Sequence, residues 1–199
     1  MLILVGESAS GKSSIEKCLV EDYGFTKVVS YTTRKPRDNE VDGIDYNFIS
    51  IEKFIELKEK GFFAETAQYN DWYYGTAKED CTNDKVVVLT PHGMRQIKKI
   101  NDIHAICFYI KVPRRDRLIK NLQRGDNIEE SYRRNLSDVG QFDGIEDEVD
   151  YIIHNPHYNF SIATMTKIVM LLSTGLDVEH IQDWIEEDEH RPFIQSLLN

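Results

Sequence analysis

Residues Gly6-Glu7-Ser8-Ala9-Ser10-Gly11-Lys12-Ser13 carry the pattern G-x-x-x-x-G-K-[ST]. The chemistry of this pattern is phosphate binding. Gly6 and Gly11 let the main chain turn tightly and approach an anion closely. N–H groups of such a loop converge on phosphate oxygens, and a following helix adds its positive end. Lys12 has the reach to meet β- and γ-phosphates, and the Ser13 hydroxyl can ligate Mg²⁺. Ser14 follows in the first helical turn. The pattern implies a nucleoside triphosphate and names no second substrate.

A second cluster lies downstream. Ser30-Tyr31-Thr32-Thr33-Arg34-Lys35-Pro36-Arg37 precedes Glu40-Val41-Asp42-Gly43-Ile44-Asp45-Tyr46-Asn47-Phe48. Arg34, Lys35 and Arg37 crowd together beside several hydroxyls. Guanidinium forks suit bidentate contacts to a second phosphate, and Tyr46 can donate a hydrogen bond to it. Taken alone, the same run also reads as a solvated basic loop.

These residues need elements to position them. Leu2-Ile3-Leu4-Val5 is a short continuous apolar run, as in a parallel strand covered on both faces. The spacing of Ile15, Leu19 and Val20 predicts a helix over 13–22, closed by Gly24. Strands are expected at 27–30, 46–49, 62–65, 73–75, 86–89, 104–112 and 149–153. Helices are expected at 51–60, 93–99, 114–123, 128–139 and 160–172. Apolar strands alternating with helices predict an α/β fold with a parallel sheet.

The length of 199 residues suits one domain with insertions. Apolar residues at 41% and charged residues at 29% exclude disordered, collagen-like and membrane-spanning classes. The net charge of -10 argues against a nucleic-acid binder, which needs a broadly basic face. Cys18, Cys81 and Cys107 are odd in number and widely spaced, so neither a disulfide framework nor a zinc site is expected. With no basic, cleavable leader at Met1, a cytoplasmic location is the expectation. The segment 174–199 stands apart. Its acidic residues Asp177, Glu179, Asp183, Glu186, Glu187, Asp188 and Glu189 face Arg191 alone. It could pack on its own domain or contact a second copy.

The phosphate loop together with Ser-x-Thr-Thr-Arg-x-Pro-Arg-x-x-Glu-x-x-Gly-x-Asp-Tyr-x-Phe resembles the guanylate kinase family. Glu65-Thr66-Ala67-Gln68-Tyr69 and Tyr73-Tyr74-Gly75-Thr76 continue the likeness. It is dense over residues 1–80 and traceable to about residue 172. The resemblance implies a P-loop NTPase-type parallel sheet flanked by helices. It also implies an inserted small mixed β subdomain for the acceptor nucleotide and a helical lid. On this reading residues 1–173 form the kinase-like domain. Its core is 1–30, 80–118 and 145–173, its acceptor subdomain about 31–79 and its lid about 119–144. An acidic C-terminal extension occupies 174–199.

The family moves the γ-phosphoryl group of ATP to GMP. By resemblance, Arg34, Arg37, Tyr46 and Tyr74 hold the GMP phosphate, while Ser30, Glu65 and Thr76 read the guanine. A carboxylate suits guanine, which presents N1–H and N2–H₂ as adjacent donors. Gly6 to Ser14 would hold the ATP phosphates with Mg²⁺ on Ser13, and Asn155 would lie near the adenine. Arg124 and Arg133 or Arg134 would swing over the transferring group, although Asn135 can occupy the arginine position instead. Lys12, Arg34, Arg124, Arg133 and Arg134 are thus the expected catalytic residues. Mg²⁺ with ATP is the expected cofactor. The expected partners are nucleotides, with no nucleic acid or membrane, and a monomer or homodimer as the assembly.

The chain departs from the family at the strand before Gly93. Val88 and Thr90 stand where the family carries two acidic residues. Thr90 keeps a place among the expected GMP contacts but cannot accept from two guanine donors as a carboxylate does. Three functions stay open on this evidence: a GMP or dGMP kinase, a kinase with another or broader acceptor, and a non-catalytic interaction module.

Overall fold

Leu2-Ile3-Leu4-Val5 has no polar position, and it forms β1 (Leu2–Val5), buried on both faces. Each face feeds its own core. Leu2 and Leu4 pack with Ile15, Leu19, Ile168 and Val169. Ile3 and Val5 pack with Met94, Ile97, Tyr109 and Ile145. The computed structural model describes residues 1–69, 71–125 and 127–176. Asn70, Asp126 and everything after residue 176 lie outside the described residues, and with them nearly all of the acidic extension.

β1 is central in a five-stranded sheet of order β2-β7-β1-β8-β9. The other strands are β2 (Thr26–Lys27), β7 (Lys85–Val88), β8 (Ile106–Lys111) and β9 (Tyr151–His154), of which β7 and β8 pair with β1 directly. Every pairing is parallel. Helices α1 (Lys12–Tyr23) and α6 (Ile162–Ser173) cover one face. Helix α3 (Pro91–Ile97) lies on the other, with the Ile145 turn. α3 starts earlier than its sequence pattern suggests. Thr90 caps it by accepting from Gly93 N–H, and Pro91 fits the first turn, where its missing N–H costs nothing.

The run 27–30, expected as one strand, divides between two sheets. Val28 N–H still bonds to the Val86 carbonyl at 3.0 Å. The chain then crosses over, and β3 (Tyr31–Thr32) enters a second, mixed sheet of order β4-β3-β6-β5. β4 (Asn47–Phe48) pairs parallel to β3, while β5 (Phe63–Tyr69) and β6 (Trp72–Ala77) form an antiparallel hairpin. Both hairpin strands are longer than their apolar pattern indicates. Glu65 and Thr76 interrupt that pattern, yet they sit opposite each other in register and are both buried. Helix α2 (Ile51–Glu59) starts at the Ser50 cap and lays Phe54 against Phe63 and Tyr73, with centroids 4.6 and 5.4 Å away.

The remaining helices, α4 (Arg114–Gln123) and α5 (Ile128–Ser137), invert the usual polarity. They bury Asp116, Arg117, Asn121, Ser131 and Asn135. They expose Ile119, Leu122, Ile128, Tyr132 and Leu136. The protein is therefore α/β, with a parallel sheet flanked by helices and a small mixed sheet inserted after β2. Among the described residues no helix is long and apolar enough to cross a membrane.

Candidate active site

The loop after β1 is built from backbone torsions that glycine permits. Gly6 has φ +156°, and a Cβ there would lie 2.6 Å from the Ile110 carbonyl oxygen and 2.7 Å from Ser10 Oγ. No side chain fits. Ala9 also adopts a left-handed conformation, φ +67°, without being glycine. Tyr158 holds it by donating to the Ala9 carbonyl at 2.8 Å. Lys12 Nζ folds back over the loop and donates to the Glu7 carbonyl at 2.8 Å and Ser10 Oγ at 3.2 Å. Burial pushes the Lys12 ammonium down to about 8, against the opposing charges of Asp138 and Glu7. α1 has no side-chain cap and no acidic residue in its first turn. Its positive end therefore stays available to an anion.

A cleft of about 450 Å³ opens over this loop, with Gly11, Lys12, Ser13 and Ser14 in its wall. Lys120, Arg124, Arg134 and Tyr158 complete it. Asn155, expected near the adenine, does not face this cleft. Its side chain is fully buried. Its amide donates to the Phe160 carbonyl at 3.1 Å, and its oxygen accepts from Phe160 N–H at 2.9 Å. Asn155 staples the loop that presents Phe160, Ser161 and Ile162 to the cleft, a supporting role that its position after β9 did not reveal.

A second cleft of about 590 Å³ lies on the other side of Ser8, with Arg34, Arg37, Tyr74 and Thr90 in its wall. Arg34 is 8% exposed and makes a two-pronged contact with Glu40, at 2.9 and 2.8 Å. Its guanidinium lies 5.4 Å from the centre of the Tyr46 ring and 5.8 Å from that of Phe48. Glu40 also accepts from Arg37 N–H. Arg34 and that N–H hold the Glu40 carboxyl down to about 2. Arg34 is therefore a fixed guanidinium in an aromatic and carboxylate frame, whereas Lys35 and Arg37 of the same run are exposed. Tyr46 supports the frame from behind, packing edge-on against Tyr74.

Glu65 is not in that wall; it lies against the start of α3, the helix that Thr90 of the wall caps, with Oε2 3.1 Å from where a Gly93 Cβ would be. It is 4% exposed, and burial raises its pKa. The Thr76 hydroxyl donates to Oε1 at 2.8 Å. Thr76 is fully buried, so it orients Glu65 and has no surface of its own in the cleft. Gln96 grips the next residue, accepting from Thr66 N–H at 3.0 Å and donating to the Thr66 carbonyl at 2.8 Å. Sequence reading missed Gln96; only the packing of α3 on β5 reveals it. Ser30 stands just before β3, where its carbonyl accepts from Asn47 N–H. Val88 packs toward the α1–α6 core.

The α4–α5 pair supplies the remaining cations. Arg134 lines both clefts, whereas Arg133 lines the Arg34 side and Arg124 the Lys12 side. Glu130 binds Arg133 and Arg134, with Nε–O distances of 2.7 Å to each. Asn135 points inward at Arg117, accepting from Nη1 at 3.1 Å. Arg117 and Asp138 are further residues that sequence reading missed. Arg117 reaches the Ser8 carbonyl, and Asp138 accepts from Ser8 N–H. Their signal was the reversed polarity of α4 and α5, legible only once the apolar faces are known to be outside.

The guanylate kinase family model matches residues 1–171. The chain is 36% identical over 149 residues to a guanylate kinase of Nitratidesulfovibrio vulgaris, covering 71% of this chain and 72% of that one. It is 33% identical over 178 residues to a guanylate kinase of Rickettsia bellii, covering 85% and 93%. The crystal structure of guanylate kinase from Anaplasma phagocytophilum shares the fold, with TM-score 0.64 and 22% identity over 89% of this chain and 86% of that one. On its sequence match along 171 residues and its two-cleft α/β architecture, the chain belongs to the guanylate kinase family.

Proposed function

We propose that this protein is an ATP-dependent nucleoside monophosphate kinase. It transfers the γ-phosphoryl group of ATP to GMP or dGMP, giving ADP and GDP or dGDP. One observation carries the reading: two anion sites of different construction meet at Arg134. The loop with Lys12 takes the donor phosphates, and the Arg34–Arg37–Tyr74 wall takes the acceptor phosphate. Arg134 lines both clefts and is placed to neutralise charge on the group in transit. Arg124 serves the donor side and Arg133 the acceptor side. Phosphoryl transfer needs alignment and charge neutralisation rather than covalent help. No general base is required, because the attacking GMP phosphate oxygen is already an anion.

Mg²⁺ fits the donor site as a nucleotide-borne ion. Among the described residues no group of three or more His, Cys, Asp or Glu forms a metal centre. The exposed Ser13 hydroxyl at the start of α1 would hold the ion. Mg²⁺ commonly keeps water and phosphate as its other ligands. Bound there, it supplies further neutralisation of the β- and γ-phosphates. The free thiols Cys18, Cys81 and Cys107 support work in a reducing compartment.

A second reading, a broader acceptor range, rests on Thr90. Its oxygen caps α3, and the carboxylate nearest the start of that helix is the buried Glu65. A coupled ADP-release assay over GMP, dGMP, AMP, CMP, UMP and dTMP tests both readings. GMP or dGMP is expected to be the best acceptor. A different best acceptor would overturn the first reading, and no turnover with any of them would overturn the kinase.

A further inference from the structure

A phosphate loop works by aiming main-chain N–H groups at an anion. In this protein one of those groups already has an anion of the protein's own. Ser8 N–H donates to Asp138 Oδ2 at 2.8 Å. Asp138 is the C-terminal cap of α5, and its own N–H bonds back to the Arg134 carbonyl. The other backbone atom of Ser8 is held as well. Its carbonyl accepts from Arg117 Nη1 at 3.2 Å.

Arg117 is 4% exposed and fixed on every side. Nε donates to the Val112 carbonyl at 3.0 Å, and Nη1 donates to Asn135 Oδ1 at 3.1 Å. The guanidinium lies 3.6 Å from Asp138 and 3.7 Å from Glu7. Arg117 and Asp138, from two different helices, thus grip both backbone atoms of one loop residue. Ser8 and Asp138 also line the acceptor-side cleft, next to Arg134. A carboxylate on that N–H places negative charge where donor and acceptor phosphates must meet.

We propose that Asp138 is a positioning residue that competes with the donor phosphate for Ser8 N–H, and that Arg117 holds it there as a latch between α5 and the phosphate loop. Donor phosphates displace the carboxylate. Release of that carboxylate from Ser8 then frees the end of α5 that carries Arg134 to move over the group being transferred. The proposal rests on the donor-loop reading above, and the test separates the two.

Asp138→Asn keeps the size and one acceptor oxygen but removes the charge. Calorimetric titration with Mg-ATP in the full chain is the measurement. A purely structural Asp138 predicts equal or weaker binding in the variant. A competing Asp138 predicts tighter binding, by about tenfold, because a neutral hydrogen bond replaces a charge-assisted one. The KM for ATP is expected to fall by a similar factor. If Asp138→Asn does not fold by circular dichroism, Asp138→Ser is judged by the same criterion. Equal or weaker binding in the folded variant, with the unaltered chain binding ATP, overturns the latch alone. Failure of the unaltered chain to bind ATP overturns the donor-loop reading and the latch with it.

Discussion

Glu65→Gln is the most searching perturbation of the acceptor reading. Glu65 is buried, and its Oε1 already receives the Thr76 hydroxyl. Glutamine keeps one oxygen for Thr76. It then presents an NH₂ group where the carboxylate would accept guanine N1–H and N2–H. Two charge-assisted bonds are lost, each worth about 1.5–3 kcal/mol. Their sum corresponds to a fall of roughly 10²–10⁴ in kcat/KM for GMP. The KM for ATP should stay put, because the Lys12 loop is a separate anion site. Stability moves the other way. Burial raises the Glu65 pKa above its usual 4.5, so ionisation costs the folded state at neutral pH. The variant is expected to melt no lower than the unaltered chain at pH 7, and any advantage should vanish below pH 4.5, where both states are protonated. Steady-state rates by coupled ADP release, with melting curves at two pH values, give both readouts. A fall of less than about tenfold in kcat/KM for GMP, in a folded variant, would refute the assignment of Glu65 to the base.

Three other outcomes follow from the same geometry. Lys12 titrates at about 8, and a bound polyphosphate favours its charged form, so binding takes up a proton above that pH. ATP affinity should be flat below pH 8 and fall above it, toward about tenfold per unit, with buffer-dependent heats in calorimetry; flat affinity to pH 10 would contradict it. Arg34→Lys keeps the charge but loses the fork that Glu40 now fixes, so the KM for GMP should rise by roughly 10–100-fold with the KM for ATP unchanged. Thr90→Asp should retain the α3 cap, since aspartate caps as well as threonine does, and add a carboxylate to the cleft wall at the start of α3, the helix end against which Glu65 packs. The ratio of GMP to AMP turnover should rise about tenfold or more; an unchanged ratio would remove Thr90 from base selection.

What could be read in the sequence was what is held together locally. The Gly6–Ser13 loop is spelled out in part because its first position leaves room for glycine only, as the Ile110 carbonyl shows at Gly6. The Arg34–Glu40 frame closes over six residues, so its spacing survives in the linear pattern. The Glu65–Thr76 contact spans a single hairpin, and both positions were named even though Thr76 acts through Glu65. The contacts on Ser8 were beyond this reach. They join residues 109 and 130 positions apart, and nothing in the chain around Arg117 or Asp138 announces them. Asn155 shows a different limit: the sequence named the position, but not that burial turns its amide inward to hold the Phe160 loop.

The reversed polarity of α4 and α5 follows from what they must face. Hydrophobic periodicity assigns the apolar side of a helix to the core, which would put Ile119, Leu122, Tyr132 and Leu136 inside. The buried face of α4 and α5 instead carries Asp116, Arg117, Asn121, Ser131 and Asn135, and Arg117 there bonds to Asn135 and to the phosphate loop at Ser8. Around the clefts, Glu130 pairs with Arg133 and Arg134 on the exposed side of α5, Glu40 pairs with Arg34 between β3 and β4, and Asp138 accepts from Ser8 N–H and lies 3.6 Å from Arg117. Each of these groups is held by a carboxylate of the protein, and in the latch proposed above the Asp138 carboxylate yields when phosphate arrives. Binding energy is reduced by this competition, but the arginines reach the substrate already positioned. That exchange favours an enzyme whose substrates must leave as readily as they bind.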